Sequence, residues 1–233
     1  MFRSFGWEVI GDKIIVKEHL TKAESNSLRI DVLAIGLFGL AVGALTVGAA
    51  QVGGIPAVDK VGVLVIALVF GGFVQVLAGV ADIRYHEQLG GTALTMYGFF
   101  WLTVSTAQLV SMSTTFHFDS ALFVPINLVY AFFSAVMVYL TAYRSVALSL
   151  LHVVITLTFL STVCMRLDLI SETLPGVAHL VVGTLAFYHA IGSLSQAYAY
   201  TGKAIVPLGS PMLHHKRARE AVHLEPVRSH EGV

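Results

Sequence analysis

The sequence predicts an all-α membrane protein with six transmembrane helices per protomer. Three observations carry this prediction. Only 12% of the 233 residues are charged and 56% are hydrophobic, with a mean hydropathy of +0.78, whereas a soluble domain is nearer a quarter charged. Charge-free runs cover 32–58, 61–81, 88–118, 120–143, 145–165 and 173–202, each at least 21 residues long. A bilayer core needs about 20 helical residues, so each run can span it. Finally, twelve of the fourteen Lys and Arg residues fall on one side of the resulting topology, with only Lys60 and Arg166 on the other. Both termini are therefore expected in the cytoplasm, in an inner or plasma membrane. A soluble bundle would need a charged outer face on each helix, and none of the runs carries one.

Taken in order, residues 1–28 form a cytoplasmic N-terminal arm. Trp7, Ile10 and Ile14 share a helical face, which suits a helix lying on the membrane surface, while Gly6 and Gly11 favour a loose arm. Arg3, Glu8, Asp12 and Lys13 interrupt the apolar stretch that a cleavable signal peptide requires. The transmembrane domain covers residues 29–209. Helix 1, about 30–51, repeats glycine at 36, 39, 43 and 48, and the Gly39/Gly43 pair lets a second backbone approach closely. Helices 2 (58–82) and 3 (90–112) flank a charged hinge, Asp82 to Gln88, expected to face the cytoplasm. A short loop from Ser113 to Ser120 leads to helix 4 (121–142), followed by helix 5 (146–165) and helix 6 (175–199). Pro207 closes the membrane domain, and 210–233 reads as a polar cytoplasmic tail.

The motifs of several function classes are missing. There is no HExxH, phosphate-binding glycine loop, CxxC or nucleophile elbow, and no acidic pair lies within a span, so an enzyme is not predicted. Cys164 is the single cysteine, and the histidines lack metal-ligand spacing, so neither a metal nor a cofactor is predicted. The basic residues form no stripe for nucleic acid. What the spans do hold is neutral hydrogen-bonding side chains: Gln75, Thr92, Thr95, Tyr97, Ser105, Thr106, Gln108, Asn127, Thr156, Ser193 and Gln196. In hydrocarbon such groups either bond across helices or line a path for a polar solute. His152, His179 and His189 are open to the same two readings, with a proton shuttle as a third.

The stretch GGFVQVLAGVADIR followed by GGTALTMYGFFWL resembles the signature of the acetate uptake transporter family, the succinate–acetate permeases. The matching positions are Gly71, Gly72, Gln75, Ala78, Gly79, Asp82, Gly90, Thr92, Ala93, Tyr97, Gly98, Phe100 and Trp101, with TLTFL at 156–160 and Pro207-Leu208-Gly209 in agreement. The resemblance implies a six-helix protomer assembled as a homohexamer, moving acetate, succinate or other short carboxylates through a path in each protomer. It also implies a constriction at Leu40, Tyr97 and Ile155. A hydrophobic collar with one phenolic hydroxyl strips water and favours a small solute with a methyl tail over hydrated inorganic ions.

Helix 1 departs from the family. The usual Asn-Pro-x-Pro opening is replaced by Asp31-Val32-Leu33-Ala34, the constriction aromatic by Leu40, and Arg29 and Asp31 place charges at the cytoplasmic mouth. The expected site is thus Leu40, Tyr97 and Ile155 as constriction, Gln75, Thr92, Thr95, Asn127 and Thr156 as polar lining, and Arg29 and Asp31 as mouth. The expected partners are a small carboxylate, other copies of the chain and the lipid bilayer. The function read from these residues is an acetate or monocarboxylate transporter or anion channel, with or without proton coupling. The alternatives are a channel for a neutral solute such as urea or a short amide, and a non-transporting assembly or sensing protein of the same fold.

Overall fold

The computed structural model describes residues 7–10, 13–16, 31–113, 116–198 and 205–213. Six helices within these residues are long and apolar enough to cross a membrane: α1 (Val32–Gln51), α2 (Ala57–Arg84), α3 (Gln88–Ser113), α4 (Ser120–Thr141), α5 (Val146–Arg166) and α6 (Thr173–Tyr198). Charged residues lie at or beyond most of their ends because a charged side chain is costly within hydrocarbon. Capping sharpens the boundaries: Asp31 accepts from Ala34 N at 3.1 Å, Asp119 from Ala121 N at 2.8 Å and Ser145 from Leu148 N at 3.2 Å.

The arm before α1 is a correction. Instead of a surface helix, Trp7–Ile10 (β1) and Lys13–Val16 (β2) pair antiparallel, with Trp7 opposite Val16 and Ile10 opposite Lys13. The residues between them are Gly11-Asp12, a two-residue hairpin signal flanked by β-branched residues. All-α therefore describes the membrane domain rather than every described residue.

The bundle divides into two halves. α1, α2 and α3 pack side by side, as do α4, α5 and α6. Along one seam α1 runs against α6 over a long contact, while α3 and α4 barely touch on the opposite side. Glycines bring the α1 backbone close to both neighbours. A Cβ on Gly43 would lie 3.1 Å from the Cα of Gly71 in α2, and one on Gly48 would lie 2.8 Å from the Gly176 carbonyl oxygen in α6. Where Gly71 and Gly72 pass, residues Ala67–Val74 of α2 take wide π-helical turns, a rare geometry that re-aims side chains and recurs at functional sites.

The α4–α5 pair is held by hydroxyls. Ser134 Oγ donates to the His152 carbonyl and Ser149 Oγ to the Val138 carbonyl, each at 3.0 Å. After α6 the chain folds back on the α4–α5 turn. Ala147 N donates to Leu208 O, Met212 N to Ala142 O and Tyr188 Oη to Pro207 O. Gly209 takes φ +76° there, a conformation glycine adopts without strain. The segment that reads as polar tail thus begins as a strap, with Met212 and Leu213 bonded to the turn. A Glu87–Arg144 ion pair ties the α2–α3 turn to the same turn.

Candidate functional site

Two cavities lie end to end inside the bundle. The larger has a volume of about 590 Å³ and lies toward the end that carries the α1–α2, α3–α4 and α5–α6 connections. Its walls mix aromatics (Phe100, Trp101, Phe159) with Ser105, Gln108, Asn127, Thr158 and Thr162, and its rim carries Lys60, Arg166 and Glu172. The smaller, about 30 Å³, lies toward the α2–α3 and α4–α5 turns and is lined mainly by Leu, Ala and Met, with Gln75, Thr141 and His152. That volume holds about one water.

Leu40, Tyr97 and Ile155 line both cavities. All three are buried, at 4%, 4% and 6% exposure, so they form the wall between the two spaces. They come from α1, α3 and α5. Tyr97 is fixed by aromatic neighbours, with Phe133 at 5.4 Å and His152 at 5.9 Å between ring centroids and Phe159 stacked at 6.3 Å. Its neighbour Tyr130 is anchored by donating from Oη to the Met96 carbonyl at 2.8 Å.

The polar groups around the small pocket are unusual. Both amide atoms of Gln75 and His152 Nε2 are buried and have no hydrogen-bond partner among the described residues, and the Tyr97 hydroxyl, near Ser134, makes no well-formed hydrogen bond there. His152 Nδ1 is already used, donating to the Leu148 carbonyl at 2.8 Å. A buried polar group without a partner is expensive, and in a native structure each calls for an explanation such as a bound solute or water. Here Gln75, Tyr97 and His152 all line one pocket, on three different helices. They offer it an amide donor and acceptor, a phenolic donor and an imidazole nitrogen, without net charge.

The other residues expected as lining part company. Asn127 does line the large cavity; its Nδ2 donates to the Phe123 carbonyl at 2.6 Å, and its Oδ1 is unpaired among the described residues. Thr92 is exposed on the outside of the bundle. Thr95 packs against Gly79 of α2. Thr156 spends its hydroxyl between helices, donating to Ser134 Oγ at 3.0 Å and the His152 carbonyl at 2.8 Å. None of these three threonines lines either cavity. Asp31 caps α1, and Arg29 lies outside the described residues.

Residues that sequence reasoning did not assign to a path include Phe100, Trp101, Phe159 and Arg166. The aromatics sit in the recognised motif, yet in an apolar helix their inward direction carries no separate signal. His179 is a helix tie: its Nδ1 lies 2.8 Å from Gln51 Oε1, joining α6 to α1 at the edge of the large cavity.

Comparison with known proteins agrees with this architecture. The family model described as the GPR1/FUN34/yaaH family matches residues 20–208. A solved structure titled "Structure of the bacterial acetate channel SatP" is similar at a TM-score of 0.67 and 22% identity, covering 78% of this chain and 99% of that one. At that identity the likeness establishes the fold. A search of curated proteins finds no match.

Proposed function

Because the chain belongs to the GPR1/FUN34/yaaH family, we propose that this multi-pass membrane protein conducts acetate or a similar short carboxylate through each protomer. The observation that carries the reading is the pair of cavities sharing Leu40, Tyr97 and Ile155, with unpaired polar groups gathered at the smaller one. The similarly folded bacterial acetate channel SatP supports this substrate class.

In this reading the large cavity is an aqueous vestibule on the outer side, and the α2–α3 turn faces the cytoplasm, as do both termini. A carboxylate sheds water at the collar, because a bare anion in low dielectric costs several kcal/mol unless donors replace its hydration shell. Gln75 Nε2 and the Tyr97 hydroxyl are the donors in position to do so, with His152 Nε2 beside them. The methyl end of the solute meets Leu40 and Ile155. Since the pocket holds about one water, passage requires side chains of the collar to move. Exposed Phe73, Leu77, Phe99 and Phe132 form apolar outer faces. They meet lipid and, in the homohexamer that we also propose, neighbouring protomers.

Uptake of labelled acetate into proteoliposomes, with and without a pH gradient, tests the function. Uptake above empty liposomes is expected, and none would sink the reading in favour of a non-transporting membrane protein. Uptake insensitive to the gradient identifies a channel; uptake driven by it identifies proton coupling. The neutrality of the pocket also suits a small amide, so urea flux in the same vesicles is the direct competitor measurement.

A further inference from the structure

The sequence places no Lys or Arg within a charge-free run, and the small pocket is neutral. The large cavity is not. Arg166, the last residue of α5, lines it together with Lys60 from the start of α2, and Glu172 is the one carboxylate in the lining. The Arg166 guanidinium is held in place from two sides. Nη1 donates to Ser120 Oγ at 3.3 Å, and the group lies over the Phe123 ring at 5.1 Å from its centroid, both from α4. Nε is buried with no acceptor among the described residues, and none of their carboxylates, Glu172 included, comes within 4.0 Å of the guanidinium. The guanidinium therefore brings to the cavity wall a positive charge that no carboxylate among the described residues offsets at close range.

We propose that Arg166, assisted by the field of Lys60, is an anion-capture station in the large cavity that binds the ionised carboxylate before it reaches the Leu40–Tyr97–Ile155 collar. The station rests on the carboxylate reading of the path and adds that the anion, rather than the neutral acid, is the form taken up on this side. A fixed cation in a cavity with low-dielectric walls concentrates anions there, while its distance from the collar leaves the dehydration step to Gln75 and Tyr97. Glu172 opposes it and sets a limit on how tightly the anion is held.

The test is the concentration dependence of acetate uptake in proteoliposomes reconstituted with the acid-binding cavity accessible from outside. Arg166→Gln should raise KM about tenfold, the usual loss for one charge-assisted pair, with the maximal rate changed little. Arg166→Lys should fall between, keeping the charge and losing the planar group that Ser120 and Phe123 hold in place. Glu172→Gln should lower KM, and it gives a readout even where replacing Arg166 impairs folding. In the parent, KM should rise with ionic strength, and this rise should shrink in Arg166→Gln. An unchanged KM in Arg166→Gln, or in Glu172→Gln should the former not fold, overturns the station while leaving the transport reading intact. Absence of acetate uptake by the parent overturns both.

Discussion

The two cavities are built on different principles although they share a wall. The large one is wide enough for hydrated solutes and has cations at its rim, a histidine already bonded to Gln51, and hydroxyls on several helices. The small one is narrow and apolar, and several of its buried polar atoms, on Gln75, Tyr97 and His152, make no well-formed hydrogen bond among the described residues. In the proposed path, long-range charge acts in the first, which has room for hydrated solutes, and short-range hydrogen bonding in the second, which has room for about one water. On the proposed reading, charge concentrates a solute and donors at close quarters select it, two tasks that the bundle would separate along its axis.

Removing the wall is the strongest way to break that separation. Tyr97→Ala should join the cavities and admit longer monocarboxylates, raising their uptake relative to acetate about tenfold, the scale set by one methylene in a tight apolar site. Competition assays in proteoliposomes measure it, with chromatography in detergent checking that the assembly persists. Parent-like selectivity would remove Tyr97 from the collar.

Gln75→Leu probes the small pocket alone. Loss of the amide should lower acetate flux several-fold while thermal stability holds or rises, since a buried group without a partner is replaced by an apolar one of similar size. A fall in stability with normal flux would make Gln75 structural.

Thr156→Val lies between the helices of one half. It should cost about 1 kcal/mol in thermal unfolding, the typical worth of one hydrogen bond, and leave uptake unchanged. A marked drop in uptake would mean that the α4–α5 contact is coupled to the path.

Smallest of all is Thr92→Val, on the outside of the bundle. Both stability and transport should stay within about 0.5 kcal/mol of the parent. A large transport effect would place a solute path where the present geometry has none.

Much of this was legible from residues alone, and the reasons differ by region. The six spans follow from the exclusion of charge from hydrocarbon, and each helix corresponds to one charge-free run. Five of the six start within one residue of the run, and the helix ends fall short of it or beyond it by up to seven residues. The family membership was carried by the motif around Gln75 and Tyr97. Which polar side chains face the interior was not legible. Apolar residues occupy every face of these helices, so Thr92, Thr95 and Tyr97 give no periodic contrast that would tell lipid from interior. Arg166 was counted as a loop charge because it follows an uninterrupted apolar run, and only the placement of Ser120 and Phe123 around it turns it toward the cavity. The hairpin at Trp7 to Val16 was present as Gly11-Asp12 between two β-branched stretches, a signal outweighed by the spacing of Trp7, Ile10 and Ile14.

The seam between α1 and α6 also bears on biogenesis. Of the six membrane-capable helices among the described residues, the first in the chain has its broadest contact with the sixth. During synthesis α1 can pair with α2 through Gly39 and Gly43, but its other flank stays uncovered until α6 is inserted. Closure of that flank needs α6 in place, and the Pro207-Leu208-Gly209 strap bonds to Tyr188 of α6 and to the start of α5. A ribosome stalled before α6 would leave an open sheet of helices with a glycine-lined groove, a substrate for membrane quality control rather than a leaky pore.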